Sequence, residues 1–107
     1  MAMTPEAKVK KKVVEQLKAM GAYYFFPATG GYGKSGVPDI VGCMGSKFFG
    51  IECKAKGNKP TPLQQHNLAE ITKAGGIALV IDEKNVHQVT ELVAGRFETQ
   101  LNLDFGV

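Results

Sequence analysis

Apolar positions Val9, Val13, Leu17 and Met20 recur at three- and four-residue steps between Thr4 and Gly21, the period of a helix with one buried stripe. Thr4-Pro5-Glu6 supplies an N-cap, a proline at the first helical position and an acid in the first turn, and Gly21 supplies the stop. The run Ala22-Tyr23-Tyr24-Phe25-Phe26 is apolar without alternation, which predicts a strand buried on both faces, ended by Pro27. Ile40-Val41-Gly42-Cys43-Met44 and Lys47-Phe48-Phe49-Gly50-Ile51 flank Gly45-Ser46. That is a hairpin with a two-residue turn, Gly first, which suits type II′. Thr61-Pro62-Leu63-Gln64 reads as a capping box opening a second helix, whose stripe runs Gln64, Leu68, Ile71, Gly75. Ile77–Ile81 is wholly apolar, as expected for a central strand reached by a helical crossover. Asn85 is the expected N-cap of a third helix with Val86, Val89 and Val93 inward and His87 toward solvent. Phe97, Thr99, Leu101, Leu103 and Phe105 alternate, so 97–107 reads as an edge strand, a partner contact or a loose tail. The order is αβββαβα: an α/β chain with a mixed central sheet flanked by helices.

The hairpin carries the candidate chemistry. With Met44 opposite Lys47, Asp39 falls opposite Glu52, and facing residues share one side with Cβ atoms about 5 Å apart. Lys54, two residues beyond Glu52, shares that side. Like charges directly opposed destabilise a sheet, and apolar neighbours limit solvent there. A hard divalent cation relieves the repulsion, and Mg²⁺ takes one or two carboxylates together with waters and phosphate oxygens. The competing reading is a strand-end charge cluster in which Lys54 pairs with Glu52. Glu6 lies along the inward stripe of the first helix, one turn before Val9, where it either serves the helix dipole or brings a third carboxylate toward the hairpin. Its rival Glu15 falls off the stripe.

A chain of 107 residues forms one domain, 1–107. No run approaches the ~20 apolar residues of a membrane span, and the Lys-rich start lacks the apolar stretch of a signal peptide. Cys43 and Cys53 face Phe48 and Pro38 in this register, so they are expected to stay unpaired, which suits a reducing cytoplasm. Without a CxxC, and with two isolated histidines, zinc is not indicated. The net charge of +3 is uneven: residues 1–60 hold ten Lys against four acids, and residues 61–107 hold three basic against six acidic residues. The basic half is a candidate phosphate-facing surface, with solvated helix faces as the alternative. Ala28–Ser35 nearly spells a P-loop, but a strand rather than a helix follows it, so that reading fails. The loop instead offers Lys34 and Ser35 for phosphate and Tyr32 for stacking. Lys10, Lys11, Lys12, Lys56 and Lys59 extend the candidate nucleic-acid surface, while His66 is expected at the surface.

Pro38-Asp39, twelve intervening residues, then Glu52-Cys53-Lys54 resembles the signature of the PD-(D/E)xK nuclease superfamily. Gly36-Val37-Pro38-Asp39 with Gly75-Gly76 downstream resembles its virus-type replication-repair nuclease (VRR-NUC) branch, over residues 4–82. The resemblance implies a restriction-endonuclease-like core and a Mg²⁺-dependent DNA endonuclease, with Mn²⁺ as a substitute. Asp39 and Glu52 would hold the metal, joined by the Cys53 backbone carbonyl and by Glu6 directly or through water. Lys54 would act on the attacking water, and Gln64 would stand beside the site. By analogy with small stand-alone nucleases of this branch, a homodimer cutting branched DNA such as a Holliday junction is expected, in the cytoplasm of a bacterial or phage-infected cell. A different class of function, a non-catalytic nucleic-acid-binding module on the same fold, is opposed by the intact Asp39, Glu52 and Lys54.

Overall fold

Helix α1, Pro5–Ala19, begins where the Thr4 hydroxyl accepts the Ala7 N–H at 3.1 Å. Its buried residues are Val9, Val13 and Leu17, three of the stripe predicted above. Burying such side chains contributes on the order of 1.5–3 kcal/mol each, against roughly 1 kcal/mol for the cap. Packing therefore holds this helix, and the cap fixes where it starts. The computed structural model describes residues 3–28 and 34–94; the alternating 97–107 segment and Tyr32 lie outside them.

Four strands follow: β1 Tyr23–Phe25, β2 Ile40–Met44, β3 Lys47–Cys53 and β4 Ile77–Ile81, in the spatial order β1-β2-β3-β4. The first two pairings are antiparallel and β3–β4 is parallel, so the sheet is mixed. The hairpin register is the expected one, with Met44 opposite Lys47 and Ile40 opposite Ile51. Its turn is not type II′: Gly45 and Ser46 both have positive φ, 57° and 68°, which is the type I′ combination. Both turns accept Gly first; the difference lies in Ser46, which also adopts the left-handed region here.

Two strand expectations need correction. Among the described residues β1 is an edge strand with one open face, where Tyr23 is 67% and Phe25 49% exposed. β4 is not central: among the described residues it pairs only with β3. Its pattern follows, with Ile77, Leu79 and Ile81 buried and Val80 exposed.

Each sheet face meets a different helix layer. Ile40, Phe49, Ile51, Cys53, Leu79 and Ile81 form one core with the α1 stripe and with Val86, Val89 and Val93. These last come from a single 3-10 turn, Val86–Gln88, running into the short helix α3, Val89–Val93. Asn85 does not cap that turn as expected. Its side chain faces backward, accepting the Asp82 N–H at 2.8 Å and donating to the Val80 carbonyl at 3.0 Å.

Helix α2, Pro62–Lys73, covers the other face. Its capping box forms as predicted: the Gln64 N–H donates to Thr61 Oγ1 at 3.2 Å and the Thr61 N–H to Gln64 Oε1 at 2.9 Å. The helix approaches the sheet where β3 has Gly50: a Cβ there would lie 2.6 Å from Ile71 Cδ1 and 3.0 Å from Pro38 Cγ. The predicted stripe of Gln64, Leu68 and Ile71 is only half-buried, and the buried residue of α2 is Asn67. This helix leans on the chain entering β2 as well as on the sheet.

Candidate active site

Four strand ends meet at one end of the sheet: the ends of β1, β3 and β4 and the start of β2. Asp39 directly precedes β2, whose backbone ladder to β3 starts at Ile40. One step further out, the Cys53 N–H donates to Asp39 Oδ2 at 2.8 Å. A carboxylate thus replaces the backbone acceptor that the ladder no longer supplies. The next amide, Lys54 N–H, turns to the other neighbour and bonds the Ile81 carbonyl at 2.9 Å. A strand residue directs its N–H and C=O to the same side, so the Cys53 carbonyl faces the Asp39 side.

Glu52 is 2% exposed, and its Oε1 is buried with no hydrogen-bond partner. Its other oxygen, Oε2, lies 3.5 Å from Lys54 Nζ, whose side chain is 13% exposed. Burial, then the nearby Asp39 charge, push the Glu52 carboxyl up to about 7; the Lys54 ammonium opposes them and Glu6 adds to them. A buried carboxylate oxygen left without a partner costs about 1–3 kcal/mol, more when charged. Ionising Glu52 beside a second carboxylate is therefore costly, and a hard divalent cation would relieve that cost. Among the described residues no set of three His, Cys, Asp or Glu side chains converges as ion ligands. Asp39 and Glu52 would be the side-chain ligands, and water and substrate oxygens would complete the shell.

Of the other predicted residues, Glu6 stands exposed in the first turn of α1, near enough for its charge to raise both Glu52 and Cys53. The Cys53 thiol is buried and pushed up to about 12 by that burial and by the Asp39 and Glu52 charges, so it stays a neutral wall. Gln64 spends its amide oxygen on the capping box. Lys34 is tied to Glu70 at 2.7 Å, a carboxylate also 3.6 Å from His66, and the Ser35 carbonyl accepts from Asn67. Lys56 has a left-handed backbone, and its N–H donates to Glu83 Oε2 at 2.9 Å. Lys11, Lys12 and Lys59 are exposed, while Lys10 is half-buried with its ammonium 4.4 Å from the centre of the Phe26 ring.

The residue missed from the sequence is Asn67. It is 4% exposed, and its amide nitrogen donates to the Ser35 carbonyl at 3.0 Å and to the Leu63 carbonyl at 2.9 Å. It fastens the segment that delivers Pro38-Asp39 to the site.

No protein-family model matches the sequence. The chain is 31% identical over 96 residues to "Putative nuclease p44" of Acyrthosiphon pisum secondary endosymbiont phage 1, an alignment covering 87% of this chain and 99% of that protein. A solved "VRR_NUC domain" superposes with a TM-score of 0.69 at 26% identity, covering 83% of this chain and 97% of the other. Full-length similarity to the phage protein, the shared fold and the paired carboxylates at the hairpin's open end converge: the chain belongs to the virus-type replication-repair nuclease (VRR-NUC) family.

Proposed function

We propose that this protein is a Mg²⁺-dependent DNA endonuclease that hydrolyses phosphodiester bonds, with Mn²⁺ able to substitute. The observation that carries the reading is the unpartnered, buried Oε1 of Glu52 beside Asp39. Asp39, Glu52 and the Cys53 carbonyl would hold the ion, whose chemistry there is to polarise a phosphoryl oxygen and acidify bound water. Asp39 is held in place by the Cys53 N–H. Lys54, whose ammonium lies 3.5 Å from Glu52 Oε2, orients the attacking water and offsets charge on the phosphorane-like transition state. Glu6 contributes its charge from α1, and Gln64 stands at the start of α2 as a holder of water or phosphate.

The proposed substrate is branched DNA such as a four-way junction, cut by a homodimer. Two observations support an assembly through the sheet: β1 leaves one edge unpaired among the described residues, and Tyr23, Phe25 and Phe48 are exposed. An open edge with apolar neighbours is a template for pairing, and a two-fold axis brings two sites to two strands. The basic residues Lys10, Lys11 and Lys12 on α1 and Lys34, Lys56 and Lys59 on the loops, with the hydroxyl of Ser35, would follow the DNA backbone. Both cysteines are free, which suits a reducing compartment, and no described helix is long and apolar enough to cross a membrane. The test is a cleavage panel of linear duplex, single strand, flap and four-way junction with Mg²⁺ or Mn²⁺, beside sedimentation. Junction cleavage abolished by EDTA and a dimer at micromolar concentration are expected. Undiminished cleavage in EDTA would overturn the metal assignment. A monomer cutting linear duplex as well as a junction would overturn the assembly and leave the nuclease reading standing.

A further inference from the structure

Lys10 and Phe26 make an unusual pair at the rim of the carboxylate centre. Phe26 is 51% exposed, yet its ring is fixed from two sides: Tyr24 meets it edge-on at 6.0 Å between centroids, and Lys10 Nζ lies 4.4 Å from its centre. Continuing the β1–β2 register beyond Phe25 opposite Val41 puts Phe26 level with Ile40 and Pro27 level with Asp39. The ring therefore stands at the same end of the sheet as Asp39, on the α1 face with Ile40, one position along from the face that Asp39 and Glu52 share. Lys10 reaches the same end from α1, one helical turn after Glu6, and residues four apart share a helix face.

We propose that Lys10 and Phe26 form one composite subsite that binds a backbone phosphate flanking the scissile bond, with Lys10 as the anchor and Phe26 as the positioning residue. The proposal rests on the nuclease reading of the site. A free lysine loses much side-chain entropy on binding. A ring beneath the ammonium attracts it and packs its stem, so part of that loss is already met before the phosphate arrives. Among the described residues the Lys10 ammonium has the Phe26 ring and no carboxylate as an ion-pair partner. This separates Lys10 from Lys34, whose ammonium must leave Glu70 before it can meet a phosphate.

The experiment measures fluorescence anisotropy of a labelled four-way junction and a labelled duplex with calcium in place of magnesium, across a potassium chloride series. The proteins are the full chain and its Lys10→Met, Phe26→Leu, Phe26→Tyr and Lys10→Met/Phe26→Leu variants, with Lys18→Met as a control. Loss of one phosphate contact to duplex DNA makes the log K against log salt slope shallower by about 0.9, and Lys10→Met is expected to show this while Lys18→Met does not. Phe26→Leu should weaken binding roughly two- to fivefold, the range of an exposed cation–π contact. Phe26→Tyr should restore it, and Phe26→Leu should cost nothing further in the Lys10→Met background. A salt slope unchanged by Lys10→Met overturns the anchor. Additive losses in the double variant overturn the positioning role and make Phe26 an independent base-stacking surface. If the unmodified chain cleaves DNA while these variants bind normally, the subsite is wrong and the nuclease reading survives; if the unmodified chain neither binds nor cleaves, both fall.

Discussion

The backbone N–H of Cys53 donates to Asp39 Oδ2 at 2.8 Å, so one carboxylate both terminates the β2–β3 ladder and faces the buried Glu52. A hydrogen bond to an ionised acceptor is stronger than one between neutral groups. Asp39 therefore keeps a fixed position in spite of the like charge opposite it. The same bond separates its two duties, because an amide oxygen would still accept from Cys53.

That separation gives the first prediction. Asp39→Asn retains the ladder's last acceptor and removes the charge, so melting should change little while cleavage falls by at least about 10²-fold, the scale of losing a main electrostatic stabiliser. Glu52→Gln should lose cleavage on the same scale. Single-turnover cleavage with Mg²⁺, alongside thermal melts, measures both; an active Asp39→Asn enzyme would remove Asp39 from the chemistry.

Glu52 sets a pH dependence whose sign is unusual for a carboxylate. Its carboxyl is raised from 4.5 to about 7. Between those values the folded chain keeps a proton that the unfolded chain has lost. Stability attributable to this group is thus fully present below about 4.5 and declines as pH rises through 7. Glu70 and Glu83 are shifted down, by Lys34 and by the Lys56 N–H respectively. They are exposed, weakly coupled and act only at acid pH. In EDTA, the melting temperature should fall from pH 5 to pH 8. Glu52→Gln should flatten that slope and melt higher than the unmodified chain at pH 8. Added Mg²⁺ should recover stability at pH 8 more than at pH 5, because binding competes with the proton. A flat profile for the unmodified chain in EDTA would contradict the assignment.

Lys54 sits 3.5 Å from Glu52 Oε2 and is largely buried, so it lies beside the carboxylates rather than on the outer surface. Lys54→Ala should lower kcat by about 10²-fold or more with little change in DNA affinity, the mark of an interaction made in the transition state. It should also move the melting profile of the metal-free protein to higher pH, because the ammonium is what holds the Glu52 carboxyl down. Loss of affinity alone would make Lys54 a phosphate anchor.

The parts of this fold legible in the sequence are those with a local period. The α1 stripe repeats every turn, and the hairpin register follows from a two-residue turn. That register puts Asp39 opposite Glu52 by residue spacing alone. What stayed hidden depends on neighbours that carry no local signal. Tyr23 and Phe25 are as apolar as a buried strand, yet they are exposed because no described element covers them. Asn85 has the chemistry of an N-cap but finds Asp82 and Val80 behind it. Asn67 looks like an ordinary polar helix position, because its partner is a backbone carbonyl 32 residues away.

Gly36 gives the last prediction, through its place between that amide and Asp39. Its φ is +76°, a region that costs an L-residue about 1–2 kcal/mol. A Cβ there would lie 2.6 Å from Leu63 Cγ, 3.0 Å from Asn67 Nδ2 and 3.0 Å from the Leu63 carbonyl carbon. The Leu63 side chain can rotate away, but its backbone moves only with α2, which adds roughly 1–3 kcal/mol of overpacking. Gly36→Ala should therefore destabilise by about 2–5 kcal/mol in urea melts. Asn67→Ala should cost less, about 1–2 kcal/mol, because the Ser35 carbonyl can turn to water. Both changes loosen the same junction, so the double variant should lose less than the two combined. Each should also lower cleavage beyond what the unfolded fraction explains, since Asp39 follows Gly36 by three residues and a shift near 1 Å costs about 10²-fold. Gly36→Ala with an unchanged urea midpoint would show that α2 does not hold this segment.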